Sequence, residues 1–316
     1  MSQRLYVATR KGLFTLEPKG SSWNIARTSF LAEPVTMFLS DARDNTLYAA
    51  LNLGHFGVKL HRSTDGGSTW EECAVPVYPK SGDAEAPSLV QIWSLEPGGK
   101  NEPGVLWAGT IPGGLFRSGN RGTSWELVES LWNVPEREHW MGGGYDTAGI
   151  HSILVDPRNS KRISVGVSVG GMWHSGDGGA SWKVRGKGMI AEYMPPERQE
   201  DPTVQDPHIL AACPANPDVV WCQHHCSAYR STDGGLNFTE ILPQPSKFGF
   251  AVAPHPKDPE TAWFVPAVKD ECRLPVDAKM VVSRTRDGGK SFEVLRQGLP
   301  QEHAYDLVYR HALAID

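Results

Sequence analysis

Histidine is the residue type whose placement in this chain points most directly to chemistry. The 316-residue sequence contains 11 histidines, and His151, His208 and His311 each occupy the second position of a short, mostly apolar segment. Three converging imidazoles can hold a divalent ion that keeps an open position for water, as in known catalytic zinc sites. We therefore predict these three histidines as catalytic and metal-ligating residues. The alternative is that they bind only water and one another.

A fourth predicted metal ligand, His224, lies in the segment WCQHHC at residues 221–226. The two cysteines of this segment do not follow a recognised zinc spacing, and free cysteines are common as buried apolar residues, so we assign them no ligand role. The predicted cofactor is a divalent metal ion (Zn, Mn or Ca), with no cofactor as the alternative.

Three long segments, residues 131–149, 189–206 and 269–279, combine aromatic, acidic and cationic side chains. Such a mixture suits a small polar ligand, for example a saccharide. From these segments we add Asp146 and Tyr193 to the predicted catalytic residues. The predicted substrate-binding residues are Gln91, Arg137, Trp140, Tyr145, Glu192 and His225.

The elements that must position these side chains are indicated by a phrase that occurs five times. Its first copy is STDGGSTW at residues 63–70, and the others begin at residues 118, 175, 231 and 285. Each copy ends on an aromatic residue, and successive copies are about 54 to 57 residues apart, a period typical of radially repeated β-sheets. A sixth, degenerate copy precedes Trp23.

The phrase reads as a turn between two strands. An aspartate carboxylate can accept backbone N–H bonds there, and a glycine can adopt a positive φ without a Cβ clash. The copy at residues 118–125 loses the aspartate but keeps its second glycine. We therefore expect the second glycine of every copy to be left-handed and the aspartates to be structural. These glycines are Gly67, Gly122, Gly179, Gly235 and Gly289.

The repeated phrase resembles the Asp-box, or bacterial neuraminidase repeat, along nearly the whole chain. The resemblance implies an all-β fold, a β-propeller, which we treat as a single domain over residues 1–316. The chain starts on a second strand at residues 5–8 and ends on a first strand at 310–316. We therefore predict six blades closed by the N- and C-terminal strands, with a C-terminally shortened seven-bladed propeller as the alternative.

Alignment of the six predicted innermost strands places three of the histidines at equivalent positions. In a propeller the innermost strands line the central channel, so equivalent residues form a ring around it. The equivalent residues are Thr36, Gln91, His151, His208, Phe248 and His311. The histidine ring and the long segments are therefore expected together at the channel mouth.

The chain as a whole looks most like uncharacterised glycosyl hydrolases with neuraminidase repeats. The early Phe/Tyr-Arg-Ile-Pro signature of sialidases is missing, because residues 9–12 read TRKG, so we do not predict true sialidase activity. Related boxes also occur in a photosystem II assembly factor and in sorting receptors, which bind proteins. The prediction is thus a carbohydrate-active or small-molecule hydrolase or lyase, with a non-catalytic protein-binding scaffold as the alternative.

Composition and charge limit the possible binding partners and the expected cellular compartment. With 31 Lys and Arg against 36 Asp and Glu, the formal charge is -5, which gives no basis for a nucleic-acid partner. No segment is apolar enough to suggest a membrane span or a secretory signal, so we expect a cytoplasmic protein. The five cysteines are expected to be free thiols. The sequence leaves the oligomeric state open.

Overall fold

A computed structural model describes residues 4–80 and 85–315, and these are almost entirely strands and turns. The fold is all-β, a six-bladed β-propeller, as predicted. Within the described residues there are six antiparallel sheets, one of three strands and five of four strands. No helix among these residues is long and apolar enough to cross a membrane. All five cysteines are free thiols, as expected.

Contacts divide the chain into two compact units, one ending at Asn133 and the other comprising Val134–Ile315. The strands of the first unit form three sheets: β1 (Leu5–Thr9), β2 (Gly12–Lys19) and β3 (Ser22–Ser29); β4 (Val35–Asp41), β5 (Thr46–Asn52), β6 (Val58–Ser63) and β7 (Glu71–Cys73); β8 (Gln91–Pro97), β9 (Leu106–Ile111), β10 (Leu115–Ser118) and β11 (Glu126–Leu127).

The second unit also contains three sheets: β12 (Ile150–Val155), β13 (Ile163–Val167), β14 (Gly171–Ser175) and β15 (Lys183–Arg185); β16 (Pro207–Cys213), β17 (Asn216–His224), β18 (Ala228–Ser231) and β19 (Thr239–Ile241); β20 (Gly249–Pro254), β21 (Ala262–Pro266), β22 (Val282–Thr285) and β23 (Glu293–Leu295). Short helical turns lie between strands: α1 (Glu129–Trp132) in the first unit, and 3-10 turns at Gly54–Phe56, Pro135–His139, Pro196–Arg198 and Val276–Ala278.

The predicted closing strand at the C-terminus requires a correction. Residues 310–315 belong to no strand, and β1 pairs with β2 in a three-stranded sheet. A hydrogen bond from Ala312 N–H to the Tyr309 carbonyl closes a turn there instead, and such a turn is incompatible with an extended strand. Residue 316 lies outside the described residues.

The repeated turn has the predicted geometry. In the copy at residues 175–182, the Asp177 carboxylate accepts the backbone N–H of Ser181 at 2.9 Å and the hydroxyl of Ser181 at 2.6 Å, while the Ser175 hydroxyl donates to it at 2.7 Å. The second glycine of every copy has a φ between 79° and 93°. The turn therefore satisfies its own polar groups and holds together the third and fourth strands of a blade.

Aromatic residues that end these turns pack between neighbouring sheets. Phe238 joins Met172 of β14 and Leu210 of β16 in one cluster of the second unit, and Phe292 packs against a cluster that includes Ile241 of β19. Burial of these large side chains is the main stabilising contribution between blades. The turns and their aromatic residues therefore stabilise the arrangement of strands that positions the loops.

Candidate functional site

The strongest cluster of reactive side chains in the second unit begins where a long loop enters β16. Asp206 is the last residue of that loop, and His208 is the second residue of the strand. Alternate residues of an extended chain point to the same side, and both side chains are almost completely buried, at 4% and 3% exposure. His208 also lies in a β-bulge, because the pairing of β16 with β17 skips from Pro207 to Ile209. Bulges of this kind re-aim a side chain away from the regular ladder.

The protonation state of His208 follows from its surroundings. Its Nδ1 lies 2.7 Å from the Gly249 carbonyl oxygen, and a carbonyl only accepts, so Nδ1 carries the proton. Burial, reinforced by the charge of Arg310, lowers the pKa of His208 well below its usual value. The imidazole is therefore neutral, with an unprotonated Nε2 that lies 3.8 Å from Asp206 Oδ2. Phe250 stacks on the ring at 4.3 Å between centroids and fixes its orientation.

His225 completes the cluster from the end of β17. Its backbone N–H donates to the Asp206 carbonyl at 2.9 Å, which brings the two residues together. Its Nδ1 lies 3.5 Å from Asp206 Oδ2, and its Nε2 lies 3.9 Å from Asp270 Oδ2. The rings of His225 and His208 meet edge to face with centroids 5.3 Å apart. A quarter of the His225 side chain is exposed, so this histidine is the accessible member of the group.

The Asp206 carboxylate is not fully satisfied. Its Oδ1 is buried and has no hydrogen-bond partner, and the distances from Oδ2 to the two histidines exceed those of a hydrogen bond. The nearby guanidinium of Arg310 is itself buried, which lowers the pKa of Arg310 to about 10, and the negative charge of Asp206 opposes that shift. Within residues 4–80 and 85–315, Asp206, His208 and His225 form the group whose possible metal-ligand atoms all lie within 4.8 Å of one another.

These three residues line one cavity of about 270 Å³ that is partly open to solvent. The remaining lining comprises Met141, Gly142, Gly143, Gly144, Val169, Tyr193, Phe250, Asp270 and Arg273. At the rim Arg273 Nε donates to Asp270 Oδ1 at 3.0 Å, and the guanidinium lies over Phe250 at 5.5 Å. The cavity thus has a polar floor, an apolar wall and a charged rim, all within the second unit.

Three of the predicted site residues, His208, His225 and Tyr193, line this cavity. Tyr193 donates its hydroxyl proton to the Val204 carbonyl at 2.6 Å, and burial raises the pKa of the phenol. This hydrogen bond holds the Tyr193 side chain in the cavity wall.

The other predicted metal ligands are engaged elsewhere. His151 is buried beside Ser152, whose Oγ is 2.9 Å from Nδ1, and burial lowers the pKa of His151. His311 places Nε2 2.7 Å from the backbone oxygen of His151. Both ring nitrogens of His224 lie 3.1 Å from backbone nitrogens, those of Asp206 and Cys226, and burial lowers the pKa of His224 to about 3. Of the four predicted ligands, the structure brings His208 alone into the group described above.

The remaining predicted residues lie outside the described lining of the cavity. Tyr145 and Asp146 are exposed, and Trp140 is buried against Trp173 with ring centroids 5.8 Å apart. Glu192 pairs with Lys247, whose Nζ is 3.3 Å from Oε1. Neither Arg137 nor Gln91 is among the residues that line the cavity. Arg137 lies in the 3-10 turn Pro135–His139, and Gln91 is the first residue of β8 in the first unit.

Sequence reasoning missed Asp206, Asp270, Arg273 and Phe250 as site residues. Asp206 had a usable signal, because the pattern Asp-Pro-His puts an acid and a histidine on one side of an extended segment. Asp270 and Arg273 lie in the predicted ligand segment 269–279, but the path of this loop between β21 and β22, and hence which of its residues reach the cavity, is not specified by the sequence.

Comparison with known proteins gives partial matches. No protein-family model matches the chain. A xyloglucanase of Acetivibrio thermocellus is 31% identical over 146 residues, which are 42% of this chain and 17% of that protein. A xyloglucanase of a Paenibacillus species is 30% identical over 149 residues, 42% of this chain and 14% of that protein. The chain therefore spans less than a fifth of these curated relatives.

Solved structures agree with the fold. The GH74 xyloglucanase from Xanthomonas campestris superposes with a TM-score of 0.66 at 19% identity, covering 93% of this chain and 44% of that one. A structure of YCF48 bound to D1 peptide superposes with a TM-score of 0.55 at 13% identity, covering 98% of this chain and 83% of that one. At these identities the likeness shows a shared propeller fold.

Proposed function

We propose that the cavity around Asp206 binds a saccharide or a comparable small polar molecule and hydrolyses it. The observation that carries the proposal is the buried, unpartnered Oδ1 of Asp206 in the wall of a partly open cavity. A buried acceptor without a partner costs about 1 to 3 kcal/mol of stability, and more when it is charged. Such a group is expected where a ligand or a reacting water supplies the missing partner.

The composition of the cavity suits a sugar. Met141, Val169 and Phe250 provide apolar surface, and the Asp270–Arg273 pair at the rim provides fixed acceptors and donors. Sugar rings present apolar C–H faces and hydroxyl edges, so both kinds of surface are used at once. A volume of about 270 Å³ limits the enclosed part of the ligand to a small unit, while the open side admits a longer chain.

The polar floor can prepare a water molecule for attack. His208 is neutral with an unprotonated Nε2 facing Asp206, and His225 offers a second imidazole on the solvent side. A carboxylate between two imidazoles can orient water and accept its proton, which contributes roughly 10² to 10⁴ in rate. As the water oxygen bonds to the sugar carbon, the glycosidic C–O bond breaks, and the leaving oxygen takes a proton from solvent on the open side of the cavity. The xyloglucanase relatives support a glycosidic bond as the bond that is cleaved, although the chain matches only part of them.

The test is hydrolysis of a panel of oligosaccharides that includes xyloglucan fragments, with product release measured for the wild type and two variants. Asp206→Asn keeps the shape of the side chain and should reduce turnover at least a hundredfold. Glu126→Gln removes an exposed carboxylate of β11, in the first unit, and should leave turnover unchanged. Equal effects of the two changes, or no hydrolysis of any member of the panel by the wild type, would reject the proposal.

A second candidate function, a peptide-binding scaffold, is favoured by the fold shared with the structure of YCF48 bound to D1 peptide, which covers 98% of this chain with a TM-score of 0.55. A scaffold would bind an extended peptide whether or not Asp206 is ionised. Peptide binding that survives Asp206→Asn, together with an inert wild type in the oligosaccharide assay, would favour this candidate.

A further inference from the structure

We propose that Asp206, His208 and His225 form a binding site for a transition-metal divalent cation, with Zn²⁺ as the best fit. The site takes one carboxylate oxygen of Asp206, Nε2 of His208 and Nδ1 of His225. It goes beyond the hydrolysis proposed above, because it is argued from side-chain geometry and does not depend on any substrate.

Two of the three distances between the ligand atoms are close to those around a tetrahedral ion, and all three are within 4.8 Å. For Zn–N and Zn–O bonds of about 2.0 to 2.2 Å, tetrahedral ligand atoms are roughly 3.3 to 3.5 Å apart. Asp206 Oδ2 lies 3.5 Å from His225 Nδ1 and 3.8 Å from His208 Nε2. These separations are too long for hydrogen bonds and need to shorten by no more than a few tenths of an ångström around an ion. Three protein ligands also leave the fourth position open toward the cavity.

His208 has the outer partner that a metal-bound imidazole requires, and a carboxylate lies near enough to His225 to become one after a small shift. The Gly249 carbonyl accepts the Nδ1 proton of His208 at 2.7 Å, which leaves Nε2 free to bind the ion. Asp270 Oδ2 lies 3.9 Å from Nε2 of His225, so the opposite nitrogen, Nδ1, is available as a ligand. A ligating histidine typically donates its other N–H to a carbonyl or a carboxylate. The unpartnered Oδ1 of Asp206, on a side chain 95% buried, is the further sign of a missing partner.

The surrounding charges select the type of ion. Arg273 lines the cavity with Asp206 and Asp270, and the buried charge of Arg310 interacts with Asp206, so the site does not attract a cation through excess negative charge. Two imidazole nitrogens form strong bonds with Zn²⁺ but are poor ligands for Ca²⁺ and Mg²⁺, which prefer six or more oxygen atoms. We therefore expect zinc to bind and calcium not to bind.

The space beside Asp206 is kept open by a glycine. A Cβ on Gly143 would lie 3.4 Å from both carboxylate oxygens of Asp206, where the fourth ligand of an ion would have to pass. With glycine at this position, a water molecule can reach the ion from the cavity. When bound there, zinc would lower the pKa of that water to about 7.

In the experiment, metal-stripped protein is titrated with ZnCl₂ alone in a calorimeter. After dialysis, the metal that remains bound is measured by elemental analysis. We expect one zinc per chain for the wild type. His225→Gln is the main variant because its side chain is partly exposed and its loss should not impair folding; Asp206→Asn is the second. Both should lose the stoichiometric site while their thermal unfolding stays cooperative. Asp270→Asn, an outer partner, should weaken binding by roughly 10- to 100-fold.

His139→Gln is the matched control, since this histidine is exposed and belongs to a different loop. It should leave the stoichiometry and affinity for zinc unchanged. CaCl₂ in place of ZnCl₂ should give no uptake, and Co²⁺ should give the visible spectrum of a four-coordinate ion. The proposal is overturned if the wild type takes up no zinc, or if His225→Gln and Asp206→Asn bind zinc as the wild type does.

Discussion

The carboxylates of the repeated turns and the carboxylate of the cavity are opposite in both exposure and satisfaction. Asp177 is exposed, yet both of its oxygens accept hydrogen bonds from the turn. Asp206 is buried, yet its Oδ1 has no partner. The Asp177 carboxylate receives these hydrogen bonds from residues of its own turn, so both of its oxygens already have partners. A buried oxygen left without a partner weakens the fold, and is expected where function requires it.

Repeated motifs in this sequence therefore indicate residues that serve folding, whereas Asp206, which lies outside them, indicates function. The turn recurs in each of the five four-stranded sheets, and its aspartates have equivalent partners in every intact copy. Asp206 belongs to no repeated phrase. Substitutions and pH titrations can show whether the turn carboxylates affect stability alone and the cavity carboxylate affects turnover.

The largest effect is expected from acid. As the pH falls, protonation of the buried histidines should destabilise the fold before protonation of the turn carboxylates does. Burial lowers the pKa of His224 to about 3 and also lowers those of His208 and His151. The folded protein then binds fewer protons than the unfolded chain, so stability falls as the pH drops below about 6.5. Linkage predicts a loss of roughly 2 kcal/mol at pH 5 for His224 alone, and the other two histidines add to it.

The turn carboxylates should respond at lower pH. Their hydrogen bonds lower the pKa of Asp65 and Asp287 to about 2, so the stability they contribute is present above about pH 4 and is lost as the pH falls toward 2. Denaturant unfolding at pH 7, 5 and 3.5 measures both stages. A free energy of unfolding that is flat from pH 7 to 5 would contradict the assignment of buried, neutral histidines.

The next largest effect is expected for a substitution in a repeated turn, which should lower stability without loss of function. Asp233→Ala removes the acceptor for Asn237 N–H and for the Ser231 hydroxyl, and should lower the free energy of unfolding by about 1 kcal/mol, discounted for its exposure. Turnover per folded molecule should be retained. Loss of turnover at an unchanged melting temperature would mean that the turns have a role in the reaction.

The smallest effect concerns the space beside the cavity carboxylate. Gly143 does not have a positive φ, so Gly143→Ala should change stability by less than about 1 kcal/mol. Its methyl group would press on the Asp206 oxygens and should reduce turnover roughly three- to tenfold. Gly176→Ala is the control, because a Cβ there meets nothing within 4 Å. Identical turnover in the two variants would show that this space is not used.

The fold was predictable because its signals are local and repeated. The turn at residues 175–182 contains its own hydrogen-bond partners, so the left-handed Gly179 follows from eight residues. Five innermost strands also lie where the sequence placed them. The strand predicted at residues 310–316 rested on hydrophobic pattern alone, which does not tell a strand from an extended loop that ends in a turn.

The candidate site was predictable only in part because it depends on contacts between distant segments. His208 was found from its place on an innermost strand, and His151 shares that place, since both lie in bulges at the start of their strands. Their rings nevertheless have different partners, Gly249 and Ser152. Which of the adjacent His224 and His225 faces the cavity is decided by the chain reversal after β17, and the sequence does not specify that detail.

The central claim is that Asp206 serves the reaction and the turn aspartates serve the fold. The most direct measurement is kcat/KM for oligosaccharide hydrolysis by Asp206→Asn and Asp233→Asn, each normalised to the concentration of folded protein. The account predicts a loss of at least about a hundredfold for Asp206→Asn and a value within about twofold of the wild type for Asp233→Asn. Comparable losses in both variants, or a larger loss in Asp233→Asn, would contradict it.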